Sequence, residues 1–69
     1  MNRNEIRKLL EANQSFTIHL ADGRKFNVPH RDFIAIGPDR GQTVAVYDER
    51  GTANILNLLL ISSLEVSAA

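Results

Sequence analysis

The chain has 69 residues, equal numbers of basic and acidic side chains, and no cysteine. A chain of this length forms one domain with a small core, and without cysteine neither disulfides nor thiolate metal sites can stabilise it. Zero net charge argues against a dedicated binder of polyanions. The first residues lack the apolar run of a signal peptide, and the run 58–61 is too short to span a bilayer, so we expect a soluble intracellular protein.

Residues 2–12 predict a short amphipathic helix. Asn2 is a suitable N-cap with Glu5 three positions on, as in a capping box. Ile6, Leu9 and Leu10 follow with the spacing of one apolar stripe. Because a helix this short is marginal in water, its stripe must pack on the rest of the chain or on another subunit.

Residues 16–28 predict a β-hairpin around which the fold is organised. Apolar residues alternate with polar ones on both arms, so each strand has one apolar face. The two apolar faces coincide only if the loop has an odd number of residues, which favours the three-residue loop 21–23 with Gly23 in the left-handed position. This register pairs Phe16 with Val28, Ile18 with Phe26, and His19 with Lys25 on the solvent face.

The second half predicts three further strands. Pro29 ends the second strand and opens a bend over 29–32, and the next strand, 33–36, stops at the glycine- and proline-containing loop 37–41. Strand 43–47 then leads into a polar turn at 48–51. A four-residue loop there would set Val44 and Val46 on the face of Ala53 and Ile55, whereas a three-residue loop would set them with Asn54 and Leu56. The pattern leaves both open.

The tail 56–66 predicts a tight turn that leads into a last short strand. The fold class that follows is mainly β with an N-terminal helix: a small, strongly bent antiparallel sheet of about five strands, as in Sm-like and SH3-like barrels. The predicted single domain covers 1–69, with the helix at 2–12 and the barrel at 15–66. The predicted core comprises Ile6, Leu9, Phe16, Ile18, Leu20, Phe26, Val28, Ile36, Val44, Val46, Ile61 and Leu64.

Several segments together resemble a family of short uncharacterised bacterial proteins, and the resemblance covers almost the whole chain. They are 4–11, 16–24, 28–30, 32–35 and 58–66. The resemblance implies a bacterial, cytoplasmic protein and carries no function with it. Members usually have a Pro-Phe-x-Pro-Phe segment before the first strand, and here 13–16 keeps only the final phenylalanine.

The order of elements is also similar to that of the bacterial Sm-like RNA chaperones, which form rings. The Tyr-Lys-His motif of those chaperones is replaced here by Asn57-Leu58-Leu59. Only the fold is implied by this second resemblance, and a fold does not determine a function.

The sequence offers no catalytic, cofactor-binding or metal-binding constellation. The two histidines, His19 and His30, lack the spacing of metal ligands, and no serine lies in a nucleophile motif. The loop 37–41 has no lysine-serine pair or following helix, so it is not a phosphate loop. We therefore expect a protein that is not an enzyme and needs no cofactor.

The predicted function is a non-enzymatic protein-interaction module that self-associates. Its contact surface is placed at loops 29–32 and 37–41, or on the polar hairpin face. The candidate binding residues are His19, Arg24, Lys25, His30 and Arg31. The alternative is an Sm-like single-stranded nucleic-acid binder, with the basic residues 24, 25 and 31 on phosphates and Phe33 or Tyr47 stacking a base.

Self-association is predicted from size and from an excess of leucine. A core this small seldom supplies enough stability alone, and the chain has no disulfide to help. Neither a helix nor a strand can point all the aliphatic residues near the C-terminus at one core. The candidates are Leu56, Leu58, Leu59 and Leu60. We expect a two-fold dimer, although the basic excess in 1–31 and acidic excess in 32–69 would also suit a head-to-tail ring.

Overall fold

A computed structural model describes residues 3–38 and 41–66. One helix, α1 (Arg3–Glu11), precedes six strands. The strands are β1 (Phe16–Leu20), β2 (Lys25–Val28), β3 (Ile34–Ile36), β4 (Thr43–Tyr47), β5 (Ala53–Asn57) and β6 (Ile61–Val66). Two 3₁₀ turns, η1 (Arg31–Phe33) and η2 (Leu58–Leu60), lie before β3 and before β6.

The strands form two antiparallel three-stranded sheets, β2-β1-β6 and β3-β4-β5. The mainly β fold with one N-terminal helix is confirmed, while the expected single bent sheet is divided in two. Pro29 cannot donate to a strand ladder and η1 follows it, so pairing is interrupted between β2 and β3. At the other corner η2 separates β5 from β6. Both sheets and Ile6 of the helix contribute to one hydrophobic core.

The helix ends in a Schellman arrangement around Asn13. The backbone N–H of Gln14 donates to the carbonyl of Leu9 at 2.9 Å, and that of Asn13 donates to the carbonyl of Leu10 at 3.1 Å. Asn13 itself has φ of 53°, which asparagine tolerates better than most residues. The predicted apolar stripe is confirmed, with Ile6 fully buried and Leu9 and Leu10 packed against the core. The predicted N-cap at position 2 lies outside the described residues.

The first hairpin has the predicted register. Phe16 pairs with Val28, Ile18 with Phe26, and His19 with Lys25. Gly23 has φ of 93°, as the three-residue loop requires. The predicted three-residue loop and its register are therefore confirmed.

The second hairpin also has a three-residue loop, which settles the open alternative. Val44 pairs with Leu56 and Val46 with Asn54. The carboxylate Oδ1 of Asp48 accepts hydrogen bonds from the backbone N–H groups of Arg50 and Thr52, both at 2.9 Å. These bonds fix the tight turn, and the register turns Ile55 away from the core.

A bulge at Ser62 explains why two residues three apart in β6 both point inward. Leu20 pairs with Ile61 and His19 with Ser63, so Ser62 has no partner in the ladder. The extra residue restores the inward face, and Ile61 is buried while Leu64 packs against the core. The hydroxyl of Ser62 donates to the carbonyl of His19 at 3.0 Å.

The observed core contains three residues that the predicted core lacks. Ile34, Leu56 and Leu58 are buried but were not predicted to be. The burial of Leu56 follows from the three-residue loop, and the burial of Leu58 follows from η2. The alternation of apolar and polar residues determines neither the loop length nor the turn. The predicted core positions Leu9, Phe26, Ile36 and Leu64 are only partly buried. The remaining eight predicted positions are buried in the core.

Candidate interaction surfaces

An aromatic pocket of about 240 Å³ lies between β2 and the β4–β5 hairpin. Its apolar lining includes Phe26, Pro29, Phe33 and Tyr47. The chain has four aromatic residues, and the fourth, Phe16, is fully buried. Every phenylalanine or tyrosine side chain that reaches the surface therefore lines this one pocket, although the three are spread over 22 positions of the sequence.

The charged residues of the aromatic pocket come from both sheets. Lys25 contributes from β2, and Asp48 and Glu49 contribute from the β4–β5 hairpin. Asp48 is committed to the turn through its Oδ1 atom. Just outside the pocket, the guanidinium carbon of Arg24 lies 5.9 Å from the centroid of the Phe26 ring, a cation–π distance.

A second feature is a set of four exposed apolar side chains spread along β5, η2 and β6, which we call the apolar strip: Ile55, Leu59, Leu60 and Val66. These side chains are 66%, 72%, 49% and 50% exposed. Among the residues that the structure describes, the only other exposed large hydrophobic residue is Tyr47, at 36%. Exposed apolar residues that are scattered singly need no explanation. Four within twelve positions of a short chain are a concentration that does need an explanation.

The strip follows two strands with open edges. β5 ends the sheet β3-β4-β5, and β6 ends the sheet β2-β1-β6, so within the described part of the chain each has one side with no neighbouring strand. The turn η2 joins them, with the side chain of Asn57 accepting from the backbone N–H of Leu59 at 2.9 Å. Open edges carry unpaired backbone groups that a further strand can pair with.

The structure separates the four leucines that the sequence grouped as a self-association surface. Leu56 and Leu58 are buried in the chain's own core, whereas Leu59 and Leu60 are exposed. The sequence did not predict that Ile55 and Val66 are exposed as well. The signal for Ile55 was the choice of loop length, since only the three-residue loop turns it outward.

The predicted binding residues do not form one patch. His19 lies on the solvent face of β1, where its Nε2 atom is 2.8 Å from Oε1 of Glu65 on β6. Arg24 lies beside the first hairpin loop, and Lys25 reaches the aromatic pocket. His30 caps η1 by accepting at Nδ1 from the backbone N–H of Asp32 at 3.3 Å, and Arg31 is the exposed first residue of that turn.

Of the two predicted contact loops, 29–32 borders the aromatic pocket through Pro29. The loop 37–41 falls partly outside the described residues. Its described part bonds to itself, with the backbone N–H of Gly41 donating to the carbonyl of Pro38 at 2.8 Å. The guanidinium of Arg3 also donates to the Pro38 carbonyl, which ties this loop to α1.

The carboxylate of Asp22 is bonded to Arg24 within the first hairpin. The backbone N–H of Arg24 donates to Oδ1 of Asp22 at 3.0 Å, and the Nε of Arg24 donates to Oδ2 at 2.9 Å. These bonds favour the ionised carboxylate, the backbone bond most strongly, and hold the pKa of Asp22 below its ordinary value. Arg24 is thus engaged by its own hairpin.

Residues 3–38 and 41–66 contain no group of three or more metal-ligating side chains placed to hold an ion. No helix in these ranges has the length and apolar character needed to cross a membrane. Comparison of the chain with protein-family models, curated proteins and solved structures gives no match. The resemblance to short bacterial proteins therefore stays a prediction, as does a cytoplasmic location.

Proposed function

We propose that this protein is a non-enzymatic interaction module that self-associates through the apolar strip. The observation that carries the proposal is the position of the strip: its four side chains lie on and between the two strands that end the sheets. Covering exposed apolar surface is favourable by about 25 cal/mol per Å², and a small core leaves the chain in need of that stabilisation.

We also propose that the two sheets act together as a small barrel of the Sm-like or SH3-like kind. Support comes from the order of pairing. The central strand β1 pairs with both β2 and the last strand β6, and β2 leads through one short corner into β3 of the other sheet. Both sheets contribute residues to a single core, which fits this arrangement.

A two-fold dimer suits the strip better than a ring. The same leucines of η2 can meet their copies across a two-fold axis, because an isologous contact needs one self-complementary apolar patch. A head-to-tail ring would instead need two different matched surfaces. The open edge of β6, six residues long, can add backbone pairing to the contact between subunits.

The nucleic-acid alternative has weaker support. Arg24 is hydrogen-bonded to Asp22, which leaves it less available to a phosphate. Phe33 and Tyr47, proposed to stack on bases, line a pocket that also holds the carboxylates of Asp48 and Glu49. Carboxylates next to a stacking platform repel the phosphate backbone. A titration with single-stranded RNA at low salt tests this alternative directly.

The test of the proposal is the mass of the protein in solution by light scattering coupled to size exclusion. At tens of micromolar we expect a dimer of the 7.7 kDa chain. The double variant L59S/L60S should be monomeric and folded, since both side chains are exposed. Tyr47→Ser removes an exposed apolar side chain outside the strip and should leave the dimer intact.

A wild-type monomer at these concentrations overturns the proposal. A dimer that survives both the L59S/L60S double variant and Ile55→Ser overturns the assignment to the strip. A hexamer or heptamer overturns the two-fold dimer and favours the ring of the Sm-like alternative.

A further inference from the structure

We propose that the aromatic pocket binds a cationic side chain, lysine or arginine, presented by a partner peptide. This inference rests on the proposed role as an interaction module and adds the chemistry of a partner. It does not depend on self-association, because no residue of the apolar strip lines the pocket. The first support is convergence: Phe26, Phe33 and Tyr47 come from three separate elements and meet here.

Clustered aromatic side chains are normally buried, but none of these three is: Phe26 packs against the core and yet remains partly exposed. Phe26 and Phe33 remain half-buried and Tyr47 is exposed, whereas Phe16 and Val46 are buried in the core. Aromatic surface left open to solvent around a concavity loses the stabilisation that burial would give. An occupant that covers the rings would recover it.

The chemistry of the occupant follows from the rings and their neighbours. The face of an aromatic ring is negative, and it attracts a cation within about 6 Å. The guanidinium carbon of Arg24 lies 5.9 Å from the centroid of the Phe26 ring, within this range, at the edge of the pocket. Asp48 and Glu49 border the pocket against the single ammonium of Lys25, and the nearby Arg24 is paired with Asp22, so the charge around the pocket is acidic on balance.

The size of the pocket suits a single side chain. Sites for drug-sized ligands have volumes of about 300 to 1,000 Å³, and this pocket, at about 240 Å³, lies below that range. A basic side chain combines an apolar stem, which the rings and Pro29 can cover, with a charged end that Glu49 can neutralise. Lys25 opposes this binding, and its removal should therefore strengthen it.

The experiment is an NMR titration of the full chain with the capped peptide acetyl-Gly-Lys-Gly-amide. Amide shifts should move in residues that line the pocket, with an affinity in the millimolar range. The same peptide with its lysine Nζ acetylated is nearly the same shape but uncharged, and it should bind several-fold more weakly. Tyr47→Ala should weaken binding of the charged peptide about two- to fivefold, the worth of one exposed cation–π contact.

Two charge variants give opposite signs and separate attraction by charge from burial alone. Glu49→Gln should weaken binding of the charged peptide about twofold, and Lys25→Gln should strengthen it by a similar factor. Both residues are exposed, so both variants should fold. Glu65→Gln, a carboxylate outside the pocket, is the matched control and should have no effect on peptide binding.

Equal binding of the acetylated and charged peptides overturns the proposal, as do absent shifts at millimolar peptide or equal effects of Glu49→Gln and Lys25→Gln. Light scattering on the same samples reports self-association independently. If the protein is a monomer that binds the charged peptide, the binding proposal is supported and the proposed dimer is overturned. If it is a dimer that does not bind the peptide, only the binding proposal is overturned.

Discussion

Gly23 and Gly51 occupy equivalent positions in the two β-hairpins. Gly23 has φ of 93° and donates its N–H to the carbonyl of Leu20 at 3.1 Å; Gly51 has φ of 82° and donates to Asp48 at 2.9 Å. The closing bonds also match, from Leu20 to the Arg24 carbonyl at 2.8 Å and from Asp48 to the Thr52 carbonyl at 3.0 Å. One loop type therefore sets the register of both hairpins.

We predict that Gly23→Ala and Gly51→Ala each lower the free energy of unfolding by about 1 to 2 kcal/mol. An added Cβ would meet no heavy atom within 4 Å at either glycine, so the cost is that of a positive φ and not of a clash. Urea unfolding followed by circular dichroism measures it. Gly37→Ala, where the nearest atom to an added Cβ is the Thr43 carbonyl oxygen at 3.8 Å, is the control and should lose less.

The equivalence also shows what could be predicted from the sequence. In the first hairpin the alternation on both arms allows only an odd loop, and the register over 16–28 follows from it. In the second hairpin, Val44 and Val46 can match apolar residues in either register, so the pattern does not decide. The carboxylate of Asp48, which bonds two backbone N–H groups, selects the three-residue loop. The aspartate at the start of the turn was therefore the feature of the sequence that indicated a three-residue loop.

The C-terminal segment was less predictable because its pairing is irregular. The bulge at Ser62 and the turn η2 each shift the residues that point inward by one position. A period of two therefore fails across 56–66, and the burial of Leu56 and Leu58 could not be separated from the exposure of Leu59. For the same reason the strip was predicted only in part.

The aromatic pocket could not be predicted, since it depends on the approach of two sheets. Phe26 belongs to the first sheet, Tyr47 to the second, and Phe33 to η1 between them. Local patterns place each residue on its own element but do not give the distance between elements.

The neighbouring residues Leu58 and Leu59 offer a matched test of this segment. Leu58 is 5% exposed, and we predict that Leu58→Ala lowers the free energy of unfolding by about 2 to 4 kcal/mol, because it leaves a cavity in the core. Leu59 is 72% exposed, and Leu59→Ala should change the stability of the monomer by less than about 0.5 kcal/mol. Thermal and urea unfolding at low protein concentration separate the two. Equal losses would contradict the assigned inward face of η2.

The end of α1 gives a third prediction. Asn13 has φ of 53° and begins the Schellman bonds that close the helix. Asn13→Gly should therefore be neutral or slightly stabilising, whereas Asn13→Ala should cost about 1 kcal/mol. Unfolding midpoints of the two variants give the comparison. A larger loss for glycine than for alanine would argue against the left-handed position.

Asp22 predicts a dependence of stability on pH. Its pKa in the folded protein is lowered from 3.8, so folding favours the ionised form. The carboxylate then contributes stability that is fully present above the unfolded value of 3.8 and is lost as pH falls through the lower folded value. Asp22→Asn removes this contribution. The stability difference between wild type and Asp22→Asn should therefore be constant at neutral pH and shrink as the solution becomes more acidic.

Two measurements test this account of Asp22. The side-chain carboxyl carbon, followed by ¹³C NMR, should titrate below the ordinary value, and unfolding in urea across the acidic range should show the loss of stability. Arg24→Gln removes the side-chain hydrogen bond but keeps the backbone N–H, whose bond to Oδ1 is the largest cause of the shift. The pKa of Asp22 should therefore rise in this variant but stay below its ordinary value. If the shift instead vanishes in Arg24→Gln, the guanidinium and not the turn backbone holds the charge on Asp22.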